Sequence, residues 1–209
     1  MIHIKRVQVT PMETNCFIVR DDATGRCAII DPGALNQTLS AAMEEVGCDR
    51  FDYILLTHCH FDHVAGVSRV KELTGAPVGI HEADAPGLRD PYVNLSGTMG
   101  GCKTIYSPAD ILWKDRQSFR LGETEFTVLH TPGHTPGSCC YLTEGILFAG
   151  DTLFHESIGR TDFPGGNTRQ MYDSLDRLLA LDGDYRVYTG HYEHTTLSHE
   201  REYNPYINW

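Results

Sequence analysis

The chain has 209 residues, 41% of them hydrophobic and 22% charged, which fits one globular domain spanning residues 1–209. Its formal net charge of −11, with no Lys/Arg cluster, speaks against nucleic acid or an anionic membrane as partner. No apolar run reaches the roughly 20 residues of a membrane-spanning helix. The opening Met1–Arg6 lacks the layout of a secretion signal, so a cytoplasmic protein is expected. Its seven cysteines, odd in number and without a CxxC pair, are then expected as reduced thiols, mostly buried as small hydrophobes.

In chain order, Ile2, Ile4, Val7 and Val9 read as a strand, followed by strands at 16–19 and 27–30, the last stopped by Asp31-Pro32-Gly33. Leu39, Ala42, Met43 and Val46 recur at i, i+3, i+4, i+7 and predict an amphipathic helix, with Asn36 as N-cap and Gly47 at its end. A buried strand is expected over 53–56, one helix over 62–74 ended by Gly75, and a strand over 77–81. The stretch 82–120, with Gly97, Gly100, Gly101 and Pro108, shows no period and reads as an excursion over a site. Strands follow at 126–130, 138–142 and 146–149. Met171, Leu175, Leu178 and Leu179 mark a helix capped near Asn167 or Thr168, and 185–188 reads as the last strand. Strands first, then strands alternating with helices, predict sheets with helices packed outside.

The eleven histidines carry the functional reading. His58-Cys59-His60-Phe61-Asp62-His63 follows an apolar strand directly. In extended chain, residues two apart share a face, so His58 and His60 point together and Cys59 points away. Asp62 begins the next helix, where an N-cap role is the plain alternative, and His63 sits beside it. Three later strands end alike: one runs into Pro132-Gly133-His134, one into Gly150-Asp151, one into Gly190-His191. Four strand ends thus supply five histidines and two aspartates, a donor set suited to two adjacent metal ions. His130, His155 and His194 are candidates for outer partners of such ligands or for pocket positions, whereas His3, His81 and His199 read as structural. The pair Cys139-Cys140 lies in a strand, so one of the two is expected in the core.

The His-x-His-x-Asp-His run, with Asp31-Pro32-Gly33, Pro132-Gly133-His134, Gly150-Asp151 and Gly190-His191 in order, resembles the metallo-β-lactamase superfamily. That resemblance implies an α/β fold, a four-layer αββα sandwich of two mixed sheets flanked by helices. It implies His58, His60 and His134 on one metal, Asp62, His63 and His191 on the second, and Asp151 bridging. Within the superfamily, Gly150-Asp151-Thr152-Leu153-Phe154 and residues 157–167 look like short single-domain glyoxalase II-like hydrolases. The cofactors implied are two divalent ions, zinc foremost, with iron or manganese compatible. The implied reaction is hydrolysis of a small-molecule thioester of the hydroxyacylglutathione type by a water activated between the ions, with Asp62 as the catalytic carboxylate orienting it. Arg160 matches a basic glutathione-contacting position; the alternative is an internal ion pair with Asp162, which stands where those enzymes have tyrosine. A mononuclear iron persulfide dioxygenase on the same fold, using His58, His134 and Asp151, is the second reading, and a non-catalytic metal-binding protein the third. The metal, the acyl group, the thiol and the oligomeric state are not encoded in these motifs.

Overall fold

The computed structural model describes residues 1–10 and 12–207. Its first six strands are β1 (Ile2–Val9), β2 (Thr14–Asp21), β3 (Arg26–Ile30), β4 (Arg50–Leu55), β5 (Val78–His81) and β6 (Ile111–Trp113). They form one sheet in chain order, antiparallel from β1 to β3 and parallel from β3 to β6. The later strands are β7 (Ser118–Leu121), β8 (Thr124–His130), β9 (Cys139–Thr143), β10 (Ile146–Gly150), β11 (Leu153–Phe154), β12 (Ser157–Ile158), β13 (Arg186–Thr189) and β14 (Thr195–Thr196). Among the described residues six of these make a second sheet in the order β14-β13-β10-β9-β8-β7, and β11 pairs with β12 alone. Only the β10–β13 pairing in that sheet is parallel.

Three buried layers follow from side chains alternating across each strand. Phe17, Val19, Ala28, Ile30 and Leu55 meet Phe126, Val128, Tyr141 and Phe148 between the two sheets. The opposite faces of the same strands, with Cys16, Ile18, Ile29 and Ile54, pack under α1 (Gln37–Val46), α2 (Phe61–Val64) and α3 (Val67–Thr74). Cys140, Leu147, Ala149 and Val187 pack under α4 (Thr168–Leu179) and α5 (Leu197–Tyr203). The result is the αββα sandwich. Strands buried on both faces read as continuous apolar runs, which is why β2, β3 and β10 stand out in the sequence. Cys139 and Cys140 are both buried, one in the middle layer and one in the outer.

Local signals set the helix ends. Asn36 caps α1 by accepting from Leu39 N at 2.9 Å, and Asn167 caps α4 by accepting from Gln170 N at 3.1 Å. The helix expected over 62–74 is instead two, interrupted at Ala65-Gly66. A Cβ on Gly66 would lie 2.5 Å from the Pro32 carbonyl, so tertiary contact with the turn after β3 breaks the run. The strand at 186–189 is not the last element, because β14 and α5 follow it.

The thiol expectation is corrected at one pair. Cys27 at the start of β3 and Cys48, just past the left-handed Gly47 that ends α1, are joined in a disulfide with Cα atoms 5.8 Å apart. Glycine turns the chain back onto the start of β3, a juxtaposition that a spacing of 21 residues does not announce. The remaining cysteines are free, and all but Cys102 are buried.

Candidate metal centre

All seven ligand-type residues expected from the sequence lie together at one end of the sandwich, where β4, β8, β10 and β13 run out. His58, His60 and His134 place one nitrogen each within 4.8 Å of one another, as do the donor atoms of Asp62, His63 and His191, and those of His58, His63 and Asp151. Asp151 lies between the sets: its Oδ1 is 3.4 Å from His63 Nε2, and its Oδ2 is 3.5 Å from His134 Nε2 and 3.6 Å from His191 Nε2.

Backbone geometry explains the convergence. The rings of His58 and His60 are 4.7 Å apart on the same side of an extended segment, and Cys59 turns the other way into the outer core. Helix α2 starts at Phe61 with His60 as its cap residue, so Asp62 stands in the first turn and does not serve as N-cap. Gly190 is required by space: a Cβ there would lie 2.1 Å from Asp151 Oδ1 and 3.0 Å from His63 Cε1.

Further residues hold these side chains in place. Asp31, left-handed at φ 51, accepts from Thr57 N and Thr57 Oγ1 and lies 3.0 Å from His63 Nδ1, which turns His63 Nε2 toward the cluster. His134 Nδ1 donates to the Arg160 carbonyl at 2.7 Å, leaving Nε2 to face His60 Nδ1 at 2.9 Å. Buried Asp84 accepts from Cys59 N, Thr135 Oγ1 and Gly137 N, tying the His58–His60 segment to the His134 loop. Thr14 donates to Asp62 Oδ2 at 3.1 Å. Sequence reading missed these partners. Asp31 was visible as a turn residue and as part of the Asp31-Pro32-Gly33 motif, without its role on His63, and Asp84 carries no local signal.

Electrostatics divides the cluster. Burial first, then the neighbouring imidazoles, pushes His58 and His60 well below the ordinary histidine range, so both are neutral. Burial pulls His63 the same way, but Asp62, Asp151 and Asp31 overcome it and raise its pKa to about 10. Asp62 is resisted by burial, yet His63 and His191 hold it well below the usual carboxylate range. Among the described residues, His58 Nε2, His60 Nε2 and Asp151 Oδ1 are buried with no hydrogen-bond partner. Buried polar atoms are rarely left so, and neutral imidazole nitrogens facing a carboxylate make a donor set that divalent cations satisfy.

His60, Asp62, His134, Asp151 and His191 form the floor of a cleft of about 310 Å³ walled by Met12, Phe61, Leu95, Met99, Phe154, Ile158, Phe163 and Tyr192, with His58 and His63 outside its lining. Leu95 and Met99 come from the irregular stretch expected to cover a site. Arg160 also lines the cleft, but it is held by Asp162 through two hydrogen bonds of 2.7 Å, the internal ion pair weighed as its alternative. His130, His155 and His194 are not brought to the cluster. His130 stacks on His81 at 3.9 Å and donates to the Pro136 carbonyl, His155 stacks on His199 at 4.8 Å, and His194 lies near Tyr188.

Among the described residues no helix is long and apolar enough to cross a membrane. The chain is 32% identical over 99% of its length to the hydroxyacylglutathione hydrolase GloC of Haemophilus influenzae, covering 99% of that protein. Its fold matches a crystal structure of the BLEG-1 B3 metallo-β-lactamase with a TM-score of 0.93 and 34% identity, covering 99% of this chain and 100% of that one. It also matches TTHA1623, solved in a di-iron-bound form, with a TM-score of 0.84 and 33% identity over 97% and 99% of the two chains. The family model of the metallo-β-lactamase superfamily, whose members are generally hydrolases built on dinuclear metal sites, matches residues 9–191, from β1 to the last of the clustered histidines; the chain belongs to that superfamily.

Proposed function

We propose that the chain is a dinuclear metallohydrolase that cleaves a thioester of the hydroxyacylglutathione type. The observation that carries this is Asp151, whose two oxygens face the nitrogens of both histidine sets across a cleft floor of unpartnered donors. His58, His60 and His134 would hold one ion, Asp62, His63 and His191 the other, and Asp151 would touch both. Zinc, iron and manganese all suit imidazole and carboxylate donors, and the di-iron neighbour keeps iron among them.

Two bound ions supply Lewis-acid polarisation of the substrate carbonyl and a water that is deprotonated near neutral pH. The protein's own groups do the rest. Asp62 Oδ2 is engaged by Thr14 and lies 3.3 Å from His191, so Oδ1 is the oxygen left to orient the attacking water. Asp31 fixes His63 and the Arg160 carbonyl fixes His134, so neither imidazole needs to reorganise during reaction. Phe61, Leu95 and Phe163 give the cleft an apolar lining beside the floor. A thiolate leaving group, with a pKa near ~8.5, departs without a general acid, which agrees with a site that offers no separate acid/base pair.

The second reading, an iron dioxygenase using His58, His134 and Asp151, shares the His-x-His-x-Asp-His run and the Gly-Arg-Thr-Asp-Phe segment at 159–163, so metal stoichiometry and activity decide between the two. The test follows thiol release from S-lactoylglutathione, and oxygen uptake with glutathione persulfide, on one metal-analysed sample. Hydrolysis that falls by about 10²-fold or more in Asp62→Ala supports the proposal. Oxygen uptake without hydrolysis, on one iron per chain, overturns it.

A further inference from the structure

The two walls of the cleft differ in kind. Beside His60 and His134 stands Phe163, its centroid 5.6 and 6.2 Å from those imidazoles, with the Arg160 guanidinium 3.9 Å over its ring and Asp162 beyond. Beside His191 stand Phe154 and Tyr192, each with its centroid 6.2 Å from that imidazole and 5.7 Å from each other. Met12 lines the same cleft, and none of these three carries charge.

Tyr192 is the unusual member. It directly follows His191, its side is 69% exposed, and its backbone is left-handed at φ 63, a costly conformation for a bulky residue. Neighbouring groups impose that conformation: the Tyr192 carbonyl accepts from Arg6 Nη1 at 3.2 Å and Asn15 Nδ2 at 2.9 Å, and Asn15 Nδ2 also donates to the Thr189 carbonyl. Glycine would adopt this backbone freely; here the same conformation carries an aromatic ring, held at the cleft next to Phe154.

We infer that Tyr192, Phe154 and Met12 form an apolar subsite for the acyl arm of the substrate, and that the preferred thioesters carry hydrocarbon acyl chains longer than lactoyl. The acyl arm is assigned here by elimination. Glutathione's own arm carries carboxylates, whereas the side chains on the His191 side of the cleft, Met12, Phe154 and Tyr192, are uncharged; the charged pair Arg160–Asp162 lies beside Phe163, on the His60 and His134 side. Methionine adds a flexible, polarizable surface that adapts to chains of different length. This inference rests on the thioesterase reading, and it is tested in a way that separates the two.

The probes are S-hexylglutathione and S-methylglutathione, bound to the metal-loaded chain and followed by calorimetry. Hexanoyl- and lactoylglutathione are compared by kcat/KM. Each buried methylene is worth about fourfold, so the hexyl compound is expected to bind on the order of tenfold or more tighter even when only part of its chain is covered. Tyr192→Gly relieves the left-handed backbone, so it is expected to fold with an unlowered thermal midpoint. It is also expected to cut both the hexyl/methyl and the hexanoyl/lactoyl ratios by about threefold or more. Ratios near one, or ratios that Tyr192→Gly leaves unchanged, overturn the subsite while hydrolysis itself would still stand. Tight hexyl preference without any hydrolysis keeps the subsite and overturns the thioesterase reading.

Discussion

His63 is the residue on which the charge of the cluster turns. Its Nδ1 is fixed by Asp31 and its Nε2 lies within 3.5 Å of Asp62, Asp151 and His191. Removing the Asp31 carboxylate frees the imidazole to rotate and leaves Thr57 without its acceptor. Loss of such a partner typically weakens metal binding by about 10- to 100-fold. Asp31→Ala is therefore expected to lower the occupancy of one of the two ions, read by metal titration, with the loss larger than for Asp31→Asn. The ligand run itself was legible because an alternating His-x-His before a helix has no packing purpose. Asp31 was not, because a carboxylate before Pro-Gly reads first as a turn, and its partner Thr57 lies 26 residues away.

At the scale of elements, the cleft is built where β4, β8, β10 and β13 end, with Leu95 and Met99 added from the long connection between β5 and β6. Periodicity found the helices α1 and α4 and their caps, since amphipathic spacing and an Asn before the first turn are local properties. It did not find β6 or β7, short strands at the end of the stretch 82–120 read as irregular, nor the helix α5, nor β11, β12 and β14, which are two residues long. It also joined α2 to α3, because the break at Gly66 comes from its contact with Pro32. The disulfide between β3 and the end of α1 is another non-local bond. Closing a loop of that length contributes about 3 kcal/mol through restriction of the unfolded chain. Cys48→Ser is expected to lower the urea midpoint and to steepen the denaturation slope, because the freed unfolded chain exposes more surface. In contrast, the kcat of the proposed thioester cleavage should be unaffected, since the bond lies outside the residues that line the cleft.

For the whole molecule, the seven donors come from four strand ends of both sheets, so the cluster exists only when the sandwich is closed. Metal removal should then appear as a change in global stability and in its pH dependence. In the metal-free chain His63 is held protonated, with its pKa raised from 6.5 to about 10. Its contribution is complete below pH 6.5 and disappears as pH rises through about 10. His58 and His60 are held neutral, below the ordinary value of 6.5, so stability falls as pH drops below that value and the unfolded chain takes up their protons. The two effects meet, and chelator-treated protein is expected to be most stable near pH 6.5. Denaturation of the stripped chain from about pH 5 to 10 checks this. A continuous rise in stability above pH 6.5 would contradict the assignment of His63.

The αββα architecture and the gathering of His58, His60, Asp62, His63, His134, Asp151 and His191 were both legible, because each ligand follows a strand whose apolar run is itself a sequence signal. What the sequence could not show is the packing that completes the site: the tie through Asp84, the hold of Asp31 on His63 and the left-handed backbone at Tyr192. The most direct test of the dinuclear centre is anomalous diffraction from crystals of the as-purified protein, collected on both sides of the zinc and iron edges. Two anomalous peaks about 3.5–4 Å apart, with Asp151 between them, are the predicted result. A single peak held by His58, His134 and Asp151, with Asp62 and His191 away from any ion, would contradict it.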